Sequence, residues 1–243
     1  MSRKFFLLVI AIFPLNLIGQ TAFEQMIASK GYVEGENRDW SDSTTINIDE
    51  PVMAYINISG ATMPSSKAYY KKAWFEFYDG QGNYFKKRIL LAAQGNSTSW
   101  RFPKKNFKVD FCEDNWEGED TPDICFGNWV PQDGFHFKAY YYDAFKGIAV
   151  VAYDLYDQVV ADRGGVAGRA WSRSGVTHKK FDERALCHPD GFPVAIYNND
   201  VFYGIYTLQL KKHRANMNLI KDIPEMIHLD GEVSSATLFL WHH

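Results

Sequence analysis

Hydrophobic and polar positions alternate along most of this chain in short runs with a period of two. "TINI" at 45–48, "VMAYINIS" at 52–59, "KAWFEFYD" at 72–79 and "YFKKRILLAA" at 84–93 each read as a strand. Between the last two lies Asp79-Gly80-Gln81-Gly82-Asn83, whose glycines and Asn supply the positive φ that a tight hairpin requires. The first hundred residues therefore predict an antiparallel sheet, preceded by a polar lead-in over 21–45. In "KNFKVDF", Phe107, Val109 and Phe111 alternate with Asn106, Lys108 and Asp110, the mark of a half-buried strand. Extended backwards, that parity puts Lys105 on the apolar face and Lys104 on the polar one. "FHFKAYYYD" at 135–143 predicts a further strand, and "FPVAIYNNDVFYGIYTLQL" at 192–210 two more joined by Asn198-Asn199-Asp200.

The period changes once. After Asp143, placed to cap a helix, Ile148, Val151, Ala152, Leu155 and Val159 form an apolar stripe at helical spacing, and Arg163-Gly164-Gly165 supplies a stop. The fold class expected from these patterns is α+β: rich in antiparallel sheet, with one clear long helix.

The N-terminus follows a different pattern. Arg3 and Lys4, an apolar run over Phe5–Ile18 and then Gly19-Gln20-Thr21 have the charge, length and small-residue exit of a secretory signal peptide over residues 1–20. The run is shorter than the roughly 20 apolar residues of a spanning helix, and no later segment has that character. The expectation is a secreted or periplasmic, cell-envelope protein with no membrane span in the mature chain.

Composition narrows the function classes. With 46 % hydrophobic and 16 % aromatic residues, the 243-residue chain has ample material for a core. A net charge of −3 from 26 basic and 29 acidic residues argues against nucleic acid as a partner. Three cysteines, Cys112, Cys125 and Cys187, allow one disulfide at most; Cys112 and Cys125 flank an acidic loop that a bridge would staple, and free thiols are the equal alternative. Cys187-His188 lacks the spacing of a zinc pair, and "EDNWEGEDTPD" at 113–123 lacks the alternation of a calcium loop, so it reads as a solvated loop. No Gly-x-Ser-x-Gly or His-Glu-x-x-His is present, and "GGVAG" at 164–168 lacks the ending of a phosphate loop.

The segment that invites chemistry is "AAQGNSTSWRFPKKNFKVDF" at 92–111. Phosphate binding needs backbone N–H groups that an anion can approach, small polar side chains and a nearby cation. Gly95, Asn96, Ser97 and Thr98, with Lys104 and Lys105, supply all three, although the same residues also suit an ordinary hairpin loop. A second class of function rests on 18 Phe, 14 Tyr and 7 Trp: an extracellular β-rich envelope module that binds carbohydrate or protein through exposed rings such as Trp116.

"QGNS" at 94–97 and "PKKNF" at 103–107 resemble the hallmark of the spore-coat-protein-H (CotH) kinase family, an Arg-Gly-Asn-Ser loop leading to Pro-Lys-Lys and an aromatic strand. "SSKAYYKKAWFEFYD", "FKAYYYD" and the hairpin "FPVAIYNNDVFYGIYTLQ" are similar to further family segments, so the resemblance spans about Ile46 to Leu219. It implies an atypical kinase-like fold binding ATP with Mg²⁺ or Mn²⁺ and transferring phosphate to a secreted or envelope protein acceptor. By position, Gly95, Asn96 and Ser97 would face the phosphates and Lys104 or Lys105 would contact the nucleotide, with Lys105 preferred for its parity. The family's loop arginine is Gln94 here, and its hairpin glutamate is Gln209. The family's metal-holding Trp-Asp-x-Asp type segment has no counterpart before "TLFLWHH", so the expectation is a domain incomplete at its C-terminus and slow or inert as a kinase.

Overall fold

Alternation of large apolar with polar side chains makes each strand two-faced, and a sheet of such strands must bury its apolar face against something. Here the sheet buries it against itself. The computed structural model describes residues 21–29, 38–39, 45–48, 53–95, 101–112, 116, 123–144, 147–162, 185–186, 188–211 and 215–217. Ten strands occur among them: β1 (Arg38–Asp39), β2 (Thr45–Ile48), β3 (Ala54–Ser59), β4 (Lys71–Tyr78), β5 (Asn83–Gln94), β6 (Asn106–Phe111), β7 (Asp123–Phe126), β8 (Gly134–Lys138), β9 (Gly191–Asn198) and β10 (Val201–Leu210). The helices among them are α1 (Ala22–Ser29) and α2 (Ile148–Asp162), with a short 3₁₀ turn at Ala215–Met217.

Seven strands close in the order β5-β4-β3-β9-β10-β8-β6 and back to β5. One edge of β5 pairs with β4 over Tyr84–Leu91; its other edge pairs with β1 at Asn83 and Tyr84 and with β6 over Ile89–Gln94. All pairs around the ring are antiparallel except β3 with β9, so the barrel is mixed. Outside it, β2 and β7 form a parallel ribbon whose Ile46, Ile48, Ile124 and Phe126 join the core.

The α+β, kinase-like expectation is thereby overturned: the fold is a closed barrel, and the described residues are mostly sheet, with the two helices among them short. Local hairpins, β5–β6 among them, follow from the sequence, but closure depends on the β3–β9 and β8–β10 pairings, which no hydrophobic period encodes. The helix over Ile148–Asp162 begins as Asp143 directs, its Oδ2 accepting from the Ile148 N–H at 3.0 Å. Its apolar stripe does not enter the core. Ile148, Val151, Leu155 and Val159 are 60, 66, 60 and 44 % exposed, whereas Tyr153 and Asp157 turn toward the barrel.

The interior is filled by rings, as a barrel of about this strand number requires if it is to leave no channel. Phe75 stacks on Phe77, Phe85 and Phe137 and meets Phe111 edge-on at 5.1 Å. Trp129 is fully buried against Phe126, Phe135 and Phe192, and its indole N–H donates to Asp190 at 2.6 Å. The polar lead-in contains α1, closed by a capping box in which Thr21 and Glu24 bond reciprocally. Phe23 and Ile27 of α1 make a small satellite core with Tyr78, Tyr84 and Tyr197.

Asn199 and Asp200 have φ of 48° and 65°, the paired left-handed residues of a type I′ hairpin, as the Asn-Asn-Asp sequence predicts. Cys112 and Cys125 are buried free thiols: burial pushes the Cys112 thiol up to about 11, and the Cys125 Sγ–H donates to the Trp129 carbonyl at 2.8 Å. The leader, most of the acidic loop, Cys187, the Arg163-Gly164-Gly165 stop, "GGVAG" and "TLFLWHH" lie outside the described residues. Among the described residues no helix is long and apolar enough to cross a membrane.

Candidate functional site

One end of the barrel collects the segments singled out by the sequence. There β5 ends at Gln94 and Gly95, β6 begins after Phe102–Lys105, β8 runs into Ala139–Asp143, and the first half of β10 projects past β8. Gly95 has φ of 98°, a conformation that favours glycine and turns the chain out of β5. Asn96 and Ser97 lie outside the described residues, as does Thr98.

The two lysines occupy different environments. Lys104 reaches β10: its Nζ donates to the Ile205 carbonyl at 2.5 Å and lies 4.3 Å from the centre of the Tyr206 ring. A side chain at 204 would crowd this lysine, since a Cβ there would lie 3.3 Å from its Cε. Lys105 is half-buried and donates to the Phe102 carbonyl at 3.4 Å, within its own loop. Both lysines are half-buried, and strand parity does not sort them: β6 begins only at Asn106 and residues 103 and 104 bend, so the period of two does not extend back to them.

Around these lysines the rim is aromatic. Phe102 stacks on Tyr141 at 5.4 Å and meets Tyr142 edge-on at 4.7 Å, and the two tyrosines are 43 and 76 % exposed. Across the mouth, a bulge between Phe202 and Gly204 reverses strand parity, so Tyr203 and Tyr206, three residues apart, share a face and stack at 6.1 Å. Burial pushes both phenols above the usual tyrosine range. The sequence signal for these rings, "FKAYYYD", reads first as a strand; which of its rings face outward is decided by where β8 stops, at Lys138.

Polar ties hold the rim in place. The Asn106 Oδ1 accepts from the Ala139 N–H at 2.8 Å, and Lys138 Nζ donates to Gln94 Oε1 at 2.5 Å. An arginine at 94, as in the family hallmark, would meet Lys138 as a like charge; the glutamine accepts from it instead. Gln209 is buried on the outer face of β10, where its Oε1 accepts from the Tyr140 hydroxyl at 3.3 Å, and Tyr140 meets Tyr153 of α2 at 2.8 Å. Trp116, a candidate platform ring, is half-buried against Trp74 at 5.7 Å and Arg88 at 5.1 Å, and is no free surface.

Among the described residues no group of three or more His, Cys, Asp or Glu side chains converges as metal ligands, and no metal ligand is assigned. The rim can offer flat apolar faces beside a cation and a glycine turn. Lys104 is its structural strut: Lys104→Met, which keeps the stem and removes the charge, is expected to cost about 1–2 kcal/mol in urea unfolding, whereas Lys105→Ala should stay within about 0.5 kcal/mol. Compared with known families and curated proteins, the chain matches no family model and no curated sequence.

Proposed function

We propose that this chain is an exported β-barrel module whose aromatic and basic rim captures a nucleotide, ATP accompanied by Mg²⁺ or Mn²⁺. The observation that carries the reading is the juxtaposition of the Phe102–Tyr141–Tyr142 rings with Lys105, which donates to the Phe102 carbonyl, at the end where the Gly95 loop leaves β5. A purine needs a flat apolar face, and a phosphate needs a cation and accessible backbone N–H groups. Gly95 and Lys105 would hold the phosphates, together with Asn96 and Ser97; Lys104 is committed to Ile205 and Tyr206. On this reading the CotH resemblance reflects the loop, carried on a barrel, and the proposed function is capture of the nucleotide. The leader pattern over residues 1–20 supports export to the periplasm, cell envelope or exterior.

A thermal-shift titration with ATP and Mg²⁺ or Mn²⁺ tests this. At about 100 times its dissociation constant the nucleotide should add roughly 2.7 kcal/mol of stability to the wild type. Lys105→Ala should abolish the shift while retaining the parental melting temperature; an equal shift in the variant would remove Lys105 from the site, and no shift in either would end the nucleotide reading.

The exposure of Tyr142 and Tyr141 favours one second reading, an envelope module that binds carbohydrate without catalysis. Glycan-array binding that is lost on Tyr142→Ala and indifferent to Lys105→Ala would support it, and a silent array would discard it.

A further inference from the structure

The helix α2 is mounted with its polar side inward. Tyr153 bonds to Tyr140, and Asp157 Oδ1 lies 2.7 Å from the Nε2 of His188, whose Nδ1 faces the Pro189 carbonyl, also at 2.7 Å. The Tyr156 ring lies 4.5 Å from that imidazole. The consequence is an outward stripe of Ile148, Val151, Leu155 and Val159, each between 44 and 66 % exposed, along a 15-residue helix. Their spacing of three, four and four residues is that of helix-to-helix contact seams, and exposed apolar stripes of this kind mark docking surfaces.

Charge selects the occupant. The helix sequence holds Asp154, Asp157 and Asp162 and no lysine or arginine; Asp154 is exposed beside the stripe, and Asp157 is committed to His188. A second copy of the same helix would set Asp154 against Asp154, and an anionic lipid surface would meet no lysine or arginine within the helix, where interfacial helices carry theirs on the polar face. We propose that the outer face of α2 docks a basic amphipathic segment of a protein partner, apolar residues against Val151 and Leu155 and lysine or arginine toward Asp154. The proposal uses Val151, Asp154 and Leu155, none of which is a rim residue, so its failure would leave the nucleotide reading untouched.

The test uses the full chain and two defined helical peptides, one of leucine and lysine, the other of leucine and glutamate, followed by fluorescence anisotropy at physiological ionic strength. The lysine peptide should bind, and the glutamate peptide should not. Binding should weaken at least about tenfold in Val151→Ser/Leu155→Ser and several-fold in Asp154→Asn, exposed changes that leave the melting temperature within a few degrees. Equal binding of both peptides, unchanged binding in the serine variant, or sedimentation showing that the chain already self-associates through this face would each overturn the proposal.

Discussion

Replacing Phe75 by alanine is expected to lower the free energy of unfolding by about 3–5 kcal/mol, the cost of emptying a fully buried aromatic site. Phe75 lies at the centre of the barrel, where its ring meets Phe77 and Phe85 from the same side and Phe111 and Phe137 from strands paired across the closure. Collapse around the cavity is limited because those four rings are carried by backbone hydrogen-bonded into a closed ring, which cannot move one strand inward without breaking register elsewhere. Since whole domains are stable by only about 5–15 kcal/mol, the variant should be largely unfolded under mild urea. Phe75→Leu should recover more than half of the loss. If Phe75→Ala cost less than about 1 kcal/mol by urea unfolding, the ring would not be central to the packing.

The second large effect is on acid stability and comes from His136. It lies on the outer face of β8, opposite Lys108 in one register and Gln209 in the other. Burial first, then Lys138 and Lys211, push its imidazole down to about 3, against an opposing pull from Asp110, which is shared by Lys108 at 2.7 Å and by Lys211. In the unfolded chain the same imidazole gains its proton near its ordinary value of about 6.5. The neutral side chain therefore supports the fold fully above about pH 6.5, and that support is lost as pH falls from there toward about 3. The loss can reach about 1.4 kcal/mol per pH unit. Asp190, whose carboxyl is held above its usual range chiefly by burial, acts in the opposite direction within the carboxylate range. The cleanest window is therefore about pH 6.5 to 5. Urea melts across it should show wild-type stability falling while His136→Gln stays nearly level; parallel curves would mean that His136 is solvated in the fold.

Much of the secondary structure was legible because it depends on neighbours in sequence. Asn106–Phe111 buries Phe107, Val109 and Phe111 in strict alternation, the Asn199-Asp200 turn forms the expected hairpin, and Asp143 caps the helix. Such features need only a period, a turn chemistry or a capping oxygen, all of them local. The α2 stripe shows the limit: a 3.6-residue period says that a helix has two faces but not which one the rest of the molecule will cover. Here the His188–Asp157 and Tyr140–Tyr153 contacts, made by residues 31 and 13 positions apart, turn the polar side inward.

The candidate site divides in the same way. The sequence by itself determined which residue types are near one another around 92–105, because a glycine turn and two lysines within one loop cannot be far apart. Only the tertiary structure decided that Lys104, not Lys105, is the strut, since its partners Ile205 and Tyr206 come from a strand about a hundred residues later. It also placed Tyr141, Tyr142 and Tyr203 on one rim, and it closed the sheet through β3–β9 and β8–β10. Alternation specifies that a strand must bury one face. Whether it does so against helices or by curling onto itself is set by which distant edges meet, and that depends on the summed burial of Phe75, Phe107, Phe137 and their neighbours, which no window of sequence contains.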